Sequence, residues 1–310
     1  MAFVIPYINM KTIFTLLVLI VLLAVGTYFF FPQYFPGNNA EVTQNEPAPI
    51  TTGNEQATTT EREPVEVIGK SVEGRDITAY HFGTGDTDLL FVGGIHGGYS
   101  WNTALVAYEL MDYLEANPEK IPTNVSITVI PALNPDGLYE VVKKEGRFEA
   151  RDIPSNADTV AGRFNARDVD LNRNFDCDWK ASGTWQSRAV SGGSAAFSEP
   201  ESMAIKTYIE ANEPSAVVVY YSAAGGVFAS NCHSDVLPET LELTNEYAEA
   251  SGYKAYEEFD FYSITGDMVN WLAKEGITAI SVLLTNHTNV EWAENQAGIE
   301  ALLAHYAEAE

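Results

Sequence analysis

The sequence is poor in cysteine, histidine and positive charge, and each shortage argues against a class of protein. Its 310 residues include two cysteines, five histidines, and 17 basic against 43 acidic side chains. Two cysteines permit at most one disulfide bond and exclude a four-cysteine zinc site. A formal net charge of −26 with no basic cluster argues against binding to nucleic acid, which needs a basic surface. Any metal site made of imidazoles must draw on His81, His96, His233, His287 and His305.

An uncharged apolar segment, residues 13–31, predicts a transmembrane signal anchor. Its nineteen residues match the length that crosses a hydrocarbon core of about 30 Å. The alternative is a signal peptide cleaved near residue 26, which would release the protein as a secreted one, but the apolar run exceeds the usual hydrophobic region of such peptides. Lys11 precedes the segment and the next basic residue is Arg62. This charge bias predicts that residues 1–12 are cytoplasmic and that the rest lies outside the cytoplasm.

Residues 32–66 are predicted to form a flexible linker, and residues 67–310 the folded domain. The linker is rich in Thr, Asn, Glu and Pro, and it has too few large apolar groups to offset the entropy of ordering. Two basic and six acidic residues lie in the first 66, so the domain carries 15 basic and 37 acidic ones, a net charge of −22. The acidity therefore describes the domain surface, where it favours solubility.

Within the domain, short β-branched apolar runs alternate with helix-like segments. The pattern predicts an α/β fold, with a mixed, mostly parallel sheet and helices on both faces. Ser198 is predicted to be the N-cap of a helix that begins with Glu199 and Pro200. Residues 143–197, rich in Arg, Asn, Gly and Ser, are predicted to form a long loop region of functional importance.

In open α/β sheets, ligands bind beyond the carboxyl ends of the strands. Four segments that follow predicted strands are therefore candidates for the ligand site: residues 95–101 (IHGGYSW), 134–137 (NPDG), 221–226 (YSAAGG) and 285–288 (TNHT). Together with residues 168–175 (DVDLNRNF), they resemble the zinc carboxypeptidase family, whose members remove C-terminal residues from peptides. The resemblance covers nearly all of residues 67–310, in the same order, and implies the carboxypeptidase fold.

The resemblance also implies roles for several side chains. His96 matches the first zinc ligand of the family, and the pair Asn172 and Arg173 matches the residues that bind the terminal carboxylate of the substrate. An Arg–carboxylate fork gives strong and oriented binding, as an exopeptidase requires. Arg163 matches, less closely, an arginine that polarises the scissile carbonyl, and Tyr262 a mobile tyrosine that closes over the substrate.

Three positions depart from the family pattern, and the chemistry of the family depends on all three. Ser100, or Tyr99 beside it, stands where a glutamate zinc ligand is expected. Tyr221 stands in place of the second histidine ligand, and Leu283 in place of the glutamate general base. One imidazole does not hold catalytic zinc, and leucine accepts no proton. The sequence therefore predicts no bound cofactor and no peptidase activity, whereas an intact family site would hold zinc.

Three hypotheses follow for the function. The first is a membrane-anchored, inactive carboxypeptidase-fold protein that still binds peptides with a free C-terminus. The second is an active zinc carboxypeptidase with displaced ligands, for which His233 and His287 are the remaining imidazoles near the site, although both are expected on the surface or behind the site. The third is a structural or interaction module that binds no peptide.

Overall fold

The computed structural model describes residues 62–308, which contain ten strands and six helices. The strands are β1 (Val65–Lys70), β2 (Asp76–Gly83), β3 (Thr87–Val92), β4 (Val125–Ile130), β5 (Ser182–Trp185), β6 (Arg188–Ser191), β7 (Ala216–Ser222), β8 (Gly226–Ala229), β9 (Ala255–Tyr256) and β10 (Ala279–Leu284). The helices are α1 (Trp101–Ala116), α2 (Pro135–Val142), α3 (Pro200–Asn212), α4 (Pro238–Ser251), α5 (Met268–Lys274) and α6 (Trp292–Glu308).

Eight of the strands form one sheet in the order β1-β2-β4-β3-β7-β10-β8-β9. The four central strands, β4, β3, β7 and β10, are parallel to one another. Antiparallel pairs join β1 to β2, β2 to β4 and β10 to β8. All seven residues of β7 are buried, as expected for a parallel strand that is covered on both faces. The predicted mixed, mostly parallel sheet is therefore confirmed.

Alternate residues of the central strands pack into two separate cores, one on each face of the sheet. Leu89 and Phe91 of β3 face α1, α4 and α6, whereas Leu90 and Val92 face α3 and α5. Because successive side chains of a strand point to opposite faces, both cores draw on the same short runs. The carboxyl ends of β3, β7 and β10 consequently meet at one edge of the sheet, between the two layers of helices.

Local details differ from the sequence-based expectations. Strand β1 begins at Val65, two residues before the predicted start of the domain, and the Arg62 side chain already contacts Asp88 at 3.2 Å. The cap of α3 is Glu199 rather than Ser198, because the Ser198 hydroxyl instead interacts with the amide nitrogen of Asn174 at 3.1 Å. The predicted loop 143–197 contains the hairpin β5–β6 and three short 3-10 turns.

No helix within residues 62–308 has the length and apolar character that a membrane span requires. The predicted signal anchor, residues 13–31, and residues 32–61 of the predicted linker lie outside the described residues, as does the predicted cytoplasmic segment 1–12.

Cys177 and Cys232 form a disulfide bond that ties the loop after residue 173 to the segment following β8. The bond spans 55 residues of sequence. For a loop of that length, the loss of entropy in the unfolded chain corresponds to about 4 kcal/mol of stabilisation. The disulfide therefore holds two segments in place beside the sheet edge at which the candidate site lies.

Candidate functional site

A cavity of about 210 Å³ opens at the carboxyl ends of the central strands. The sheet contributes Tyr221 and Ser222 from β7, Ser281 and Leu283 from β10, and His96 from the turn after β3. Loops complete the wall, and they bring together most of the residues predicted from the sequence: Arg163, Asn172, Arg173 and Tyr262.

His96 is buried in the cavity wall without a hydrogen-bond partner among the described residues. Its side chain is only 7% exposed, and neither ring nitrogen forms a hydrogen bond. The Asp170 carboxylate lies 3.7 Å from Nε2. Burial, aided by the guanidinium groups of Arg163 and Arg173, holds the pKa of His96 well below its usual range. The imidazole is therefore neutral and has unused hydrogen-bonding capacity.

Tyr221 and Leu283 face each other from neighbouring strands beside this imidazole. Parallel pairing sets the two residues directly opposite, and the Tyr221 ring lies 5.5 Å from that of His96 between centroids. The Tyr221 hydroxyl donates to Asn172 Oδ1 at 3.2 Å. Burial, with a smaller effect of Asp267, raises the pKa of Tyr221 well above its usual value. The phenol therefore keeps its proton.

The structure separates the two residues expected near the missing glutamate ligand. Tyr99 lines the cavity, and its ring lies 4.9 Å from that of Trp185 between centroids. Ser100 is buried and does not line the cavity; its hydroxyl points to the carbonyl oxygen of Ser222 at 3.5 Å. Ser100 thus lies behind the strand end that carries Tyr221, whereas Tyr99 forms part of the open wall.

Arg173 is a buried cation with no carboxylate partner among the described residues. Its side chain is 1% exposed, and its guanidinium donates to the Thr184 carbonyl through Nε at 3.2 Å and Nη2 at 2.8 Å. Nη1 donates to the Asn172 carbonyl at 2.6 Å. Since a guanidinium has five N–H groups, two remain for a ligand. Hairpin β5–β6 supplies Thr184, and Gly183 packs against the Arg173 stem, where a Cβ would lie 2.9 Å from Cδ.

Asn172, the neighbour of Arg173, also lines the cavity and has an amide nitrogen that is free among the described residues. Its Oδ1 accepts from the Tyr221 hydroxyl and from the Met268 backbone N–H at 3.1 Å. Both partners are donors, so the oxygen is assigned to that end of the amide. Nδ2 is left without a partner in residues 62–308, and Asn172 lines the cavity. Together, Arg173 and Asn172 offer an anion N–H groups on three nitrogen atoms, Nη1, Nη2 and Nδ2.

Arg163, by contrast, has a carboxylate partner. Nε and Nη2 donate to Asp170 Oδ2 at 2.9 and 2.8 Å, and the guanidinium lies 4.4 Å from the centre of the Trp185 ring. The ion pair is buried on both sides, with side-chain exposures of 2% and 0%. The sequence did not indicate Trp185, whose ring stacks on Arg163. Trp185 belongs to the hairpin β5–β6, and the carbonyl of its neighbour Thr184 accepts from Arg173.

The remaining candidates occupy different places. Tyr262 lines the cavity and packs against Phe259, with 5.1 Å between ring centroids. His287, which was expected on the surface or behind the site, is partly exposed and lines the cavity, with 4.4 Å between its ring centroid and that of Tyr99. His233 is exposed and pairs with Asp178 at 2.7 Å, away from the cavity.

Asp267 adds a buried carboxyl group to the wall. It forms the N-cap of α5, where its side chain accepts from the Asn270 backbone N–H at 3.3 Å. Burial raises the pKa of Asp267 to about 6, against the opposing effect of Arg173. Asp267 thus compensates part of the arginine charge without reaching it in an ion pair.

Within residues 62–308, one group of three side chains has the geometry to hold a metal ion, and it lies elsewhere. Glu242 and Glu246 of α4 meet His305 of α6 on the surface. His305 Nδ1 already pairs with a Glu246 carboxylate oxygen at 3.0 Å. None of these residues lines the cavity at the strand ends.

Comparisons with known proteins agree with the fold. The family profile described as zinc carboxypeptidase matches residues 55–301. Carboxypeptidase Z of Rattus norvegicus is 34% identical over 121 residues, which make up 35% of this chain and 17% of the relative. Carboxypeptidase D of Drosophila melanogaster is 29% identical over 158 residues, 47% of this chain and 10% of that protein. The matched segment thus spans less than a fifth of either relative.

Solved structures share the fold at low sequence identity. The murein-tripeptide amidase of Escherichia coli O157 superposes with a TM-score of 0.54 and 18% identity, covering 81% of this chain and 94% of that one. Bovine thrombin-activatable fibrinolysis inhibitor, solved in complex with a tick carboxypeptidase inhibitor, gives a TM-score of 0.61 and 17% identity, covering 78% and 88%. Similarity at this level establishes the architecture alone.

We expect Asp267→Asn to stabilise the protein at neutral pH. The pKa of Asp267 is about 6 when folded and about 3.8 when unfolded, so ionisation opposes folding and stability falls as the pH rises through this range. At pH 7 the substitution should raise the free energy of unfolding by at most about 3 kcal/mol, with little effect at pH 3 to 4. Asparagine keeps the helix cap. Urea unfolding at both pH values measures the difference.

The exposed Asp235, changed to Asn in a parallel variant, serves as the control and should leave both unfolding curves unchanged. An equal gain in the free energy of unfolding at both pH values would show that ionisation of the Asp267 carboxyl does not destabilise the folded state.

Proposed function

This chain belongs to the zinc carboxypeptidase family, and we propose that it is a member that binds peptide C-termini without hydrolysing them. The observation that carries the proposal is the buried guanidinium of Arg173, which has no carboxylate partner in residues 62–308 and keeps two N–H groups for a ligand. At the positions that the resemblance assigns to the metal ligands and the base, this chain has Ser100, Tyr221 and Leu283.

The side chains around His96 do not fit a catalytic zinc ion. Such an ion takes three ligands from His, Cys, Asp or Glu and leaves one position to water. Tyr221 stays protonated because its pKa is raised, and the Ser100 hydroxyl points to a backbone carbonyl. Asp170 is near His96, but its carboxylate neutralises the buried Arg163, which would lose its partner if Asp170 turned to a metal.

A general base is also missing from the position that the resemblance assigns to it. Leu283 lies in the cavity wall and accepts no proton, and base assistance commonly contributes ~10²- to 10⁴-fold to a rate. Without a metal-activated water as nucleophile and without this base to accept its proton, the chain cannot hydrolyse a peptide by the family mechanism.

The anion site, in contrast, is complete. Arg173 and Asn172 offer free N–H groups on three nitrogen atoms; two backbone carbonyls hold the arginine, and Tyr221 and Met268 hold the asparagine. Charge-assisted hydrogen bonds of this kind are the strong ones, and a guanidinium matches the two oxygens of a carboxylate. A peptide with a free C-terminus is therefore the proposed ligand.

We expect purified full-length protein to contain less than stoichiometric zinc by elemental analysis and to release no C-terminal residue from peptides. The triple variant Ser100→Glu, Tyr221→His and Leu283→Glu should bind one zinc per chain and acquire chelator-sensitive carboxypeptidase activity, because it restores both the ligands and the base. Since Tyr99 rather than Ser100 lines the cavity, a second triple variant carries Tyr99→Glu instead.

Tightly held zinc in the unmodified protein, or chelator-sensitive hydrolysis by it, would establish the alternative of an active enzyme with displaced ligands. This measurement needs no variant, so it decides the matter even if neither triple variant folds.

We expect Arg173→Ala to weaken binding of a peptide with a free C-terminus by about 10- to 150-fold, because it removes charge-assisted hydrogen bonds of about 1.5–3 kcal/mol. For the unmodified protein, amidation of the same peptide should have a similar effect. Isothermal titration calorimetry measures both. The matched control is Arg151→Ala, which removes an exposed arginine that pairs with Glu149. Equal binding of the acid and the amide would favour the third hypothesis, an interaction module without a carboxylate site.

The proposal includes a location: membrane-anchored through residues 13–31, with the folded domain outside the cytoplasm. The disulfide between Cys177 and Cys232 supports it, because such bonds persist in oxidising compartments.

In cells that express the full chain, we expect the protein in the membrane fraction, with both cysteines resistant to alkylation until a reductant is added. Deletion of residues 1–31 should leave a protein with alkylatable thiols. A shorter mature N-terminus by mass spectrometry would instead identify a cleaved signal peptide, and full-length protein in the soluble fraction with free thiols would contradict export.

A further inference from the structure

A chain of hydrogen bonds leads from helix α1 to the imidazole of His287 in the cavity wall. Asn102 of α1 is buried, and its Oδ1 lies 3.1 Å from the Ser222 hydroxyl at the end of β7. The same hydroxyl lies 2.9 Å from Nδ1 of His287, in the loop after β10. The three side chains therefore form one connected path from the core to the cavity.

The orientation of Asn102 is fixed by its other contacts. Nδ2 lies 2.8 Å from the carbonyl oxygen of Asn286 and 2.9 Å from that of Asn289. Both partners are acceptors, so the NH₂ group must occupy this end of the amide, and Oδ1 must face Ser222. An amide oxygen can only accept, so the single hydroxyl hydrogen of Ser222 points to Asn102.

This assignment determines the tautomer of His287. Because the Ser222 hydroxyl has already donated its hydrogen, it can only accept from Nδ1, which must therefore be the protonated ring nitrogen. Burial and the nearby Arg163 lower the pKa of His287, which keeps the ring neutral at pH 7. In a neutral imidazole the other nitrogen then has a free lone pair. Nε2 forms no hydrogen bond within the described chain.

We propose that His287 Nε2 is a fixed hydrogen-bond acceptor for an N–H group of the peptide bound in the cavity. The inference rests on the proposed function, in which Arg173 binds the terminal carboxylate. Arg163 and Arg173 supply only donors to the cavity, and Asn172 adds a further one, so they match the oxygens of a peptide. His287 supplies the complementary acceptor, and it extends recognition from the carboxylate to the N–H groups of the peptide.

The first part of the test needs no ligand. Full-length protein is labelled with ¹⁵N-histidine, and two-bond ¹H–¹⁵N correlation spectra distinguish protonated from unprotonated ring nitrogens. His287→Gln identifies the signals by their loss. We expect a protonated Nδ1 and an unprotonated Nε2. Ser222→Ala should convert this pattern to a mixture of tautomers, whereas the surface variant His305→Gln should leave it unchanged. A protonated Nε2, or a mixture in the unmodified protein, overturns the proposal.

The second part adds a peptide with a free C-terminus. We expect the Nε2 signal of His287 to shift on binding, and His287→Phe to weaken binding by about three- to tenfold, the size of one ordinary hydrogen bond. His287→Gln, which keeps an acceptor, should lose less. Binding with an unmoved Nε2 signal overturns this inference and leaves the proposed function in place. Absence of any peptide binding overturns both.

Discussion

Two buried guanidinium groups set the conditions for the rest of the site. Arg163 and Arg173 are 2% and 1% exposed, and removing a charge from water costs several kcal/mol unless it is compensated. Asp170 compensates Arg163 through two hydrogen bonds. Arg173 depends instead on two backbone carbonyls and on the field of Asp267. The hairpin β5–β6 and the N-terminus of α5 therefore both stabilise the buried Arg173 cation in the cavity wall.

Burial, together with the field of these two cations, sets the protonation states around them. Burial of the ring, aided by both arginines, lowers the pKa of His96 and keeps it neutral, and burial with Arg163 does the same for His287. Tyr221 remains a phenol because burial outweighs the attraction of the arginines for a phenolate. The cavity consequently contains neutral donors and acceptors around a positive charge that Asp267 compensates only in part. Such a surrounding suits a bound carboxylate.

The four central strands, most of the helices and the residues at the strand ends could be predicted from the sequence, because apolar runs and helix signals are local. His96, Arg163, Asn172, Arg173 and Tyr262 were predicted for the site, and all five line the cavity. The sequence did not indicate Trp185, because a hairpin of two four-residue strands in a polar region leaves little local pattern. The place of His287 depends on its contact with Ser222, 65 residues away, and such contacts become visible only once the fold has formed.

Apolar burial stabilises the fold at Tyr221 and Leu283, whereas burial of the Arg173 cation costs free energy. This difference supports a role in binding over a purely structural role. Tyr221 and Leu283 belong to the apolar core on one face of the sheet, where carboxylate or imidazole ligands without a metal would be costly to bury. Arg173 is equally buried and brings no packing that an apolar side chain of similar volume could not supply. A domain needed only as a scaffold would gain stability by replacing it. A buried arginine with two free N–H groups is instead what a site for an anionic ligand requires, because the ligand completes the ion pair that the fold leaves open.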